Sequence, residues 1–383
     1  MNVPKLRFPE FIGEWEEKTI DSMFEEIKEK NHSSEEVLTI IQGTGTVPRK
    51  KSGRNIIFDE KSLSNYKFVQ KNDFIIHLRS FEGGLEIANS NGIVSPAYII
   101  MRPKFKIASR FYYSYFRSYK FINHVLPVAV EGVRDGRQIK YPILKAETIP
   151  FPSISEQKKI ADFLSNVDSI ITAETKILKT LQKKKKALMQ KLFTQQLRFK
   201  SDDGKDFPAW EEKKLGECVE ILDSRRKPIE SKERANRKGE YPYYGASGII
   251  DYIDDYLFEG ESILLGEDGA NIINRNSRLA FIATGKYWVN NHAHIMKANA
   301  DNLNYFICEY LESLDYSKIC AGSAQPKLTQ DVIRNLTIKA PCKAEQQKIA
   351  DCLSSIDSLI QTQQKVVTTW QQRKKALLQQ MFI

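Results

Sequence analysis

This chain is written twice. Glu156-Gln-Lys-Lys-Ile-Ala-Asp-Phe-Leu-Ser165 returns 189 positions later as Glu345-Gln-Gln-Lys-Ile-Ala-Asp-Cys-Leu-Ser354. The same offset holds from Asp168-Ser169 to Asp357-Ser358, from Lys185-Lys-Ala-Leu188 to Lys374-Lys-Ala-Leu377, and from Phe193 to Phe382. The approaches to these segments repeat too: Leu6-Arg-Phe8 recurs as Leu197-Arg-Phe199, and Trp15-Glu-Glu-Lys18 as Trp210-Glu-Glu-Lys213. Between the matching ends, residues 20–130 and 215–320 share almost no identities. Constant frames around variable fillings are expected when two copies keep one mechanical role while each middle serves a different target.

The constant segments read as helices. In the first copy Ile160, Leu164, Val167, Ile171, Leu178, Leu181, Leu188 and Leu192 recur on steps of four and three, interrupted only by Glu174 and Lys185. The second copy gives Ile349, Leu353, Ile356, Ile360, Val367, Trp370, Leu377 and Met381, interrupted at Gln363 and Lys374. Apolar heptads sustained this long argue for a coiled coil. No Gly or Pro interrupts residues 153–193 or 343–383, and each run follows a proline, Pro152 or Pro341. Glu156 and Glu345 sit in the first turns, where a carboxylate complements the helix dipole. Some 38 residues at roughly 1.5 Å each make a rod of about 57 Å. Paired antiparallel within the chain, the two helices would close a nearly circular molecule with a pseudo-two-fold axis. The first helix carries nine lysines, including Lys183-Lys-Lys-Lys186, against four acids. A solvated face and a phosphate- or partner-binding face both fit that excess.

The fillings read as compact α+β domains. The first has β-rich runs at Val37–Ile41, Asn55–Phe58, Asp73–His77, Ile93–Val94 and Tyr98–Met101, then an aromatic helix at Ser109–Arg117. The second has runs near Tyr241–Gly248, Ser262–Leu265, Leu279–Ile282 and Tyr287–His294, then a helix at Leu303–Leu311. At 383 residues the chain has room for two or three domains of about 150 residues. Its net charge of +10 favours a polyanionic partner, most often nucleic acid. No run of 18 apolar residues and no signal-like start point to a cytosolic protein. The five cysteines are odd in number and never spaced C-x-x-C, which speaks against disulfides and structural zinc.

Catalytic motifs are missing. No two prolines are adjacent, so the Asn/Asp-Pro-Pro-Tyr/Phe signature of amino-methylating enzymes is absent. Gly43-x-Gly45 is a lone fragment of a cofactor loop and reads as a turn, and there is no Walker A sequence and no His-Glu-x-x-His. His292 and His294 sit two apart, so on a strand both would share one face. With no third ligand nearby, this favours hydrogen-bonding or base-contacting roles over a metal.

The opening Pro4-Lys-Leu-Arg-Phe-Pro-Glu-Phe11 with Trp15, the variable middles and the twin Glu-Gln-x-Lys-Ile-Ala-Asp helices resemble the specificity (S) subunit of type I restriction-modification systems. The resemblance covers essentially the whole chain. It implies an α+β fold with two pseudo-repeat target recognition domains, separated by two long helices that form an intramolecular antiparallel coiled coil. The expected boundaries are 1–152 and 196–341 for the recognition domains, and 153–195 and 342–383 for the helices. It further implies that each domain reads one half of a split, asymmetric double-stranded DNA site. The coiled coil would act as a ruler and dock two modification (M) subunits, with restriction (R) subunits joining later. The S subunit itself is non-catalytic and binds no cofactor; S-adenosylmethionine, ATP and Mg are used by its partners.

Reading bases needs bidentate donors and acceptors on loops, Arg for guanine and Asn or Gln for adenine. Arg134, Arg137 and Lys140 lie around the Gly132–Gly136 loop before the first helix, and Gln325 and Lys327 follow Gly322 in the equivalent loop. Further candidates are Thr44, Thr46, Arg49, Lys50, Lys51, Arg54 and Arg79 in the first filling. The second offers Arg225, Arg226, Lys227, Tyr243, Tyr244, Ser247, Asn271, Arg275, Asn290, Asn291 and His292. About half are expected to touch DNA, mostly at phosphates; plain surface charge is the competing explanation. Ser95-Pro-Ala-Tyr98 and Asn291-His-Ala-His294 resemble motifs recurrent in such domains, where a folding role and a reading role fit equally. Two other classes compete with the specificity subunit: a coiled-coil scaffold joining two proteins, and a fused restriction enzyme with an unrecognised catalytic site.

Overall fold

The computed structural model describes residues 3–53, 60–132, 137–320 and 326–382. Its two dominant elements are the helices Ile154–Phe193 and Lys343–Met381. The chain divides into two units, residues 1–175 with 365–383, and residues 176–364. Each unit therefore holds the filling together with one end of each long helix.

In the first unit the helix ends run antiparallel. Asp168 pairs with Lys374, while Ile160, Ala161 and Leu164, one to two turns earlier, pack with Leu377, Leu378, Met381 and Phe382, later in the second helix. The second unit repeats this pairing. Lys185 Nζ contacts both carboxylate oxygens of Asp357 at 2.7 Å, and Met189 and Leu192 pack with Ile349 and Leu353. Lys185 and Lys374, which interrupt the apolar series in sequence, thus meet an aspartate of the opposite helix in the seam. The two ion pairs occupy equivalent places in the repeat.

The other frame residues are anchors. Arg7 donates to both oxygens of Glu156 at 2.7 and 2.8 Å, and Arg198 to both oxygens of Glu345 at 3.1 and 2.7 Å. Both glutamates are buried, so they fix the entering chain as well as facing the helix dipole. The adjacent Gln157 accepts from the Ala108 N–H and donates to the Pro152 carbonyl; Gln346 does the same with Leu303 and Pro341. Those contacts tie each long helix to the start of the aromatic helix, Ser109–Tyr115 or Asn304–Ser313.

Both fillings contain the same antiparallel four-stranded sheet. In the first unit its order is Phe24–Ile27, Ile99–Pro103, Phe74–Ile76, Glu86–Ile87; in the second it is Val219–Ile221, Ala293–Ala298, Ser262–Gly266, Ala280–Ala283. Glu16–Thr19 pairs with Thr148–Phe151, and Glu211–Lys214 with Thr337–Ala340, closing each filling beside its helix. One face of each sheet packs on the aromatic helix, with Phe24, Phe74, Tyr112 and Phe116 in contact in the first unit. The fillings differ in what is added. The first carries the hairpin Leu38–Ile41 and Gly45–Pro48, whereas the second carries a second sheet of Gly248–Ile253, Lys238–Gly245, Lys286–Val289 and Phe258–Glu259. Gly45 makes its hairpin possible: its φ is +90°, and a Cβ there would lie 2.5 Å from the Ile87 carbonyl oxygen.

The run Tyr287–His294 is not one strand. The Asn290 side chain accepts from the His292 N–H at 2.8 Å and turns the chain before the strand Ala293–Ala298 begins. His292 is exposed in that turn while His294 is buried, so the two do not share a face. The run Asn55–Phe58 lies outside the described residues.

Candidate nucleic-acid interface

In the first unit the hairpin turn is held from beneath. Asn89 donates through its side chain to the Thr44 and Thr46 carbonyls and through its backbone to Thr46 Oγ1. Thr46 is therefore internal, and Thr44 is exposed at the turn. Beyond the hairpin, Arg49, Lys50 and Lys51 form a single helical turn; Arg49 lies over the Tyr66 ring, and Lys50 and Lys51 are exposed. Arg79 is exposed before the short helix Ser80–Gly83, and Arg137 stacks 4.3 Å from the Phe81 ring of that helix. Lys140 lies 3.6 Å from Glu131. Arg54 and Arg134 lie outside the described residues.

The second unit sorts its candidates more sharply. Arg225, Lys227, Ser247, Asn291, His292 and Lys327 are exposed. Tyr243 is buried and its hydroxyl accepts from the Ile229 N–H, and Asn290 is buried in its turn. Tyr244 packs between Phe281 and Tyr287, where burial raises its hydroxyl pKa. Asn271 closes the loop to Ser277 through two hydrogen bonds, and Arg275, in a left-handed conformation, pairs with Glu312. Arg226 faces inward, bonding Glu267 at 2.8 Å and the Ala293 carbonyl at 2.7 Å. Of the candidates, Thr46, Arg226, Tyr243 and Asn290 thus use their polar atoms to satisfy the fold itself. Gln325 lies outside the described residues.

Beneath this surface lie acids that the pattern of cations and amides does not point to. Asp223 accepts from the His294 ring at 2.5 Å and from the Ile295 N–H at 2.9 Å. Glu267 accepts from Arg226 and lies 3.2 Å from Lys327; Asp268 pairs with His292 at 2.8 Å. Burial opposes the charge on Asp223 and Glu267, yet the hydrogen bonds and charges of His294 and Arg226 hold both carboxyls below their usual range. A search for cationic and amide readers cannot find them; their signal is the turn-rich spelling Asp223-Ser-Arg-Arg226 and Gly266-Glu-Asp-Gly269. Among the described residues no group of three His, Cys, Asp or Glu is placed to hold a metal, and no helix is long and apolar enough to cross a membrane.

A duplicated α+β frame carries exposed cations on loops of each filling. The family model described as type I restriction modification DNA specificity domain matches residues 12–183 and again 209–369, and the chain belongs to that family of DNA-sequence-recognising specificity subunits. A putative type I restriction enzyme specificity subunit of Haemophilus influenzae is 34% identical over 147 residues, 38% of this chain and 37% of that protein. The MjaVIII specificity subunit of Methanocaldococcus jannaschii is 26% identical over 338 residues, covering 81% of this chain and 78% of its own. In fold, the chain is similar to the type I restriction-modification S subunit from M. genitalium, with a TM-score of 0.60, 18% identity, and 100% and 99% of the two chains covered. A chain from a study of assembly and conformational transition in the type I system gives a TM-score of 0.53 at 15% identity, covering 95% and 96%.

Proposed function

We propose that each filling reads one half of a bipartite, asymmetric DNA site, and that the paired helices set the separation of the halves and dock the modification subunits. The observation that carries this reading is the duplicated frame: the Arg–Glu anchors and Asp–Lys seam pairs recur in both units around fillings with different loops. A frame kept while its contents change suits two independent readers on one support. The chain acts without a catalytic centre of its own, in the cytoplasm. S-adenosylmethionine serves the modification subunits, while ATP and Mg serve the restriction subunits. Exposed Arg225, Lys227 and Lys327 in the second unit, and Lys50, Lys51 and Arg79 in the first, contact DNA chiefly at phosphates.

Replacing residues 20–130 with the corresponding filling of another family member tests this. The methylated motif in cells carrying the chimera and its modification subunit should change in one half only. A change in both halves defeats the modular reading. A chain whose DNA binding is insensitive to salt points to a protein scaffold instead, because several phosphate contacts impose a steep salt slope.

A further inference from the structure

Four segments of the second unit meet at one buried cluster. His294, with a side chain only 1% exposed, has both ring nitrogens against acceptors: Asp223 on one side and the Leu328 carbonyl, at 2.7 Å, on the other. The ring is thus held from both sides. Asp223 also bonds the next residue's N–H, at Ile295, so it grips the strand beside it. Arg226 spans Glu267 and the Ala293 carbonyl. Glu267 in turn binds two neighbouring segments by its backbone, accepting from Leu328 and donating to His292 at 2.8 and 2.9 Å. The Gly269 N–H donates to the Pro326 carbonyl at 3.2 Å, and the Trp288 indole donates to the Lys227 carbonyl at 2.6 Å.

Exposed Arg225, Lys227, His292 and Lys327 therefore stand on loops whose backbones are pinned to one another through this cluster. Base reading needs donors held to a fraction of an ångström, whereas phosphate attraction does not. Polar groups so deep in a fold are costly unless paired, and a paired network holds its segments in one arrangement. We infer that His294, Asp223, Arg226 and Glu267 are positioning residues for sequence reading by the second domain. They set the mutual placement of its reading loops without touching DNA. This rests on the proposed bipartite reading.

The test measures binding of the full chain, assembled with its modification subunit, to three duplexes: the modified site, the site with the second domain's half scrambled, and the site with the first domain's half scrambled. His294→Gln should lower discrimination against the second scramble about tenfold. Discrimination against the first scramble, and affinity for random DNA, should stay within about twofold. Arg226→Lys keeps the charge but not the two-ended span, and should give the same pattern more weakly; it decides the matter if His294→Gln does not fold. Undiminished discrimination in folded variants overturns the inference. So does an equal loss at both halves, or a loss at the second half matched by an equal loss of affinity for random DNA. Wild-type protein that discriminates neither half defeats the proposed function instead.

Discussion

Lys374 and Lys185 occupy the same place in the repeat, each within Lys-Lys-Ala-Leu and each opposite an aspartate, yet they live in different surroundings. In the first unit Lys374 is 24% exposed and Asp168 50% exposed, so water shares in solvating the pair. In the second, Lys185 is 8% exposed and meets Glu309 at 2.8 Å as well as Asp357. Arg278 pairs with Glu309, and Tyr305 donates to Asp357 at 2.5 Å. Burial opposes the Arg278 charge, but Glu309 keeps its pKa raised. The difference originates in the filling: the helix Asn304–Ser313 supplies Tyr305 and Glu309, while Ser109–Tyr115 contains no acid at all. A frame constant in sequence is thus unequal in energetics, because a buried cation must be neutralised by whatever lies beside it.

The largest test of that inequality is removal of the equivalent aspartates. Asp357→Ala should cost roughly 2–4 kcal/mol, the lower side of breaking a buried pair because Glu309 still faces Lys185. Asp168→Ala should cost less than about 1 kcal/mol, as exposed pairs do. Equal shifts in denaturant midpoint would break the comparison. The repeated tryptophans sharpen it. The Trp210 indole donates to Glu345 at 3.1 Å, while the buried Trp15 N–H has no acceptor among the described residues. Both Phe variants lose packing, but Trp210→Phe should cost about 1–2 kcal/mol more, measured by urea unfolding followed by far-ultraviolet dichroism. The smallest effect is acid lability in the second unit. A carboxylate whose folded pKa is lowered stabilises the fold above its unfolded value, and that stability fades as pH falls through the folded value. For Asp223 and Glu267 the fading begins below about pH 4.5. The urea midpoint should fall from there downward, and less steeply in Asp223→Asn; an unaltered slope would remove Asp223 from the account.

The helices were legible because a seam repeats locally, and their antiparallel pairing followed from two equal copies in one chain. The partner of Lys185 was not legible, since Asp357 is 172 positions away and lysine in a heptad reads only as an interruption. The α+β character of the fillings and both aromatic helices were read from short-range pattern. The candidate interface was legible in kind more than in detail. Arg225 and Arg226 are adjacent and identical in type, but one is exposed and the other bonds Glu267. Sequence cannot separate them, because a polar side chain that reads a base and one that satisfies a buried backbone use the same donors.

The core of the first unit also has a timetable. Phe382 lies 5.4 Å from Phe111 and 5.7 Å from Tyr115 between ring centres, and Met381 is buried in the same cluster. These residues leave the ribosome about 270 positions after the aromatic helix they cover, which at roughly 5–20 residues per second is a wait of about 14–54 seconds. The half that is synthesised first is therefore completed last, and until then its aromatic face is open to solvent and to chaperones.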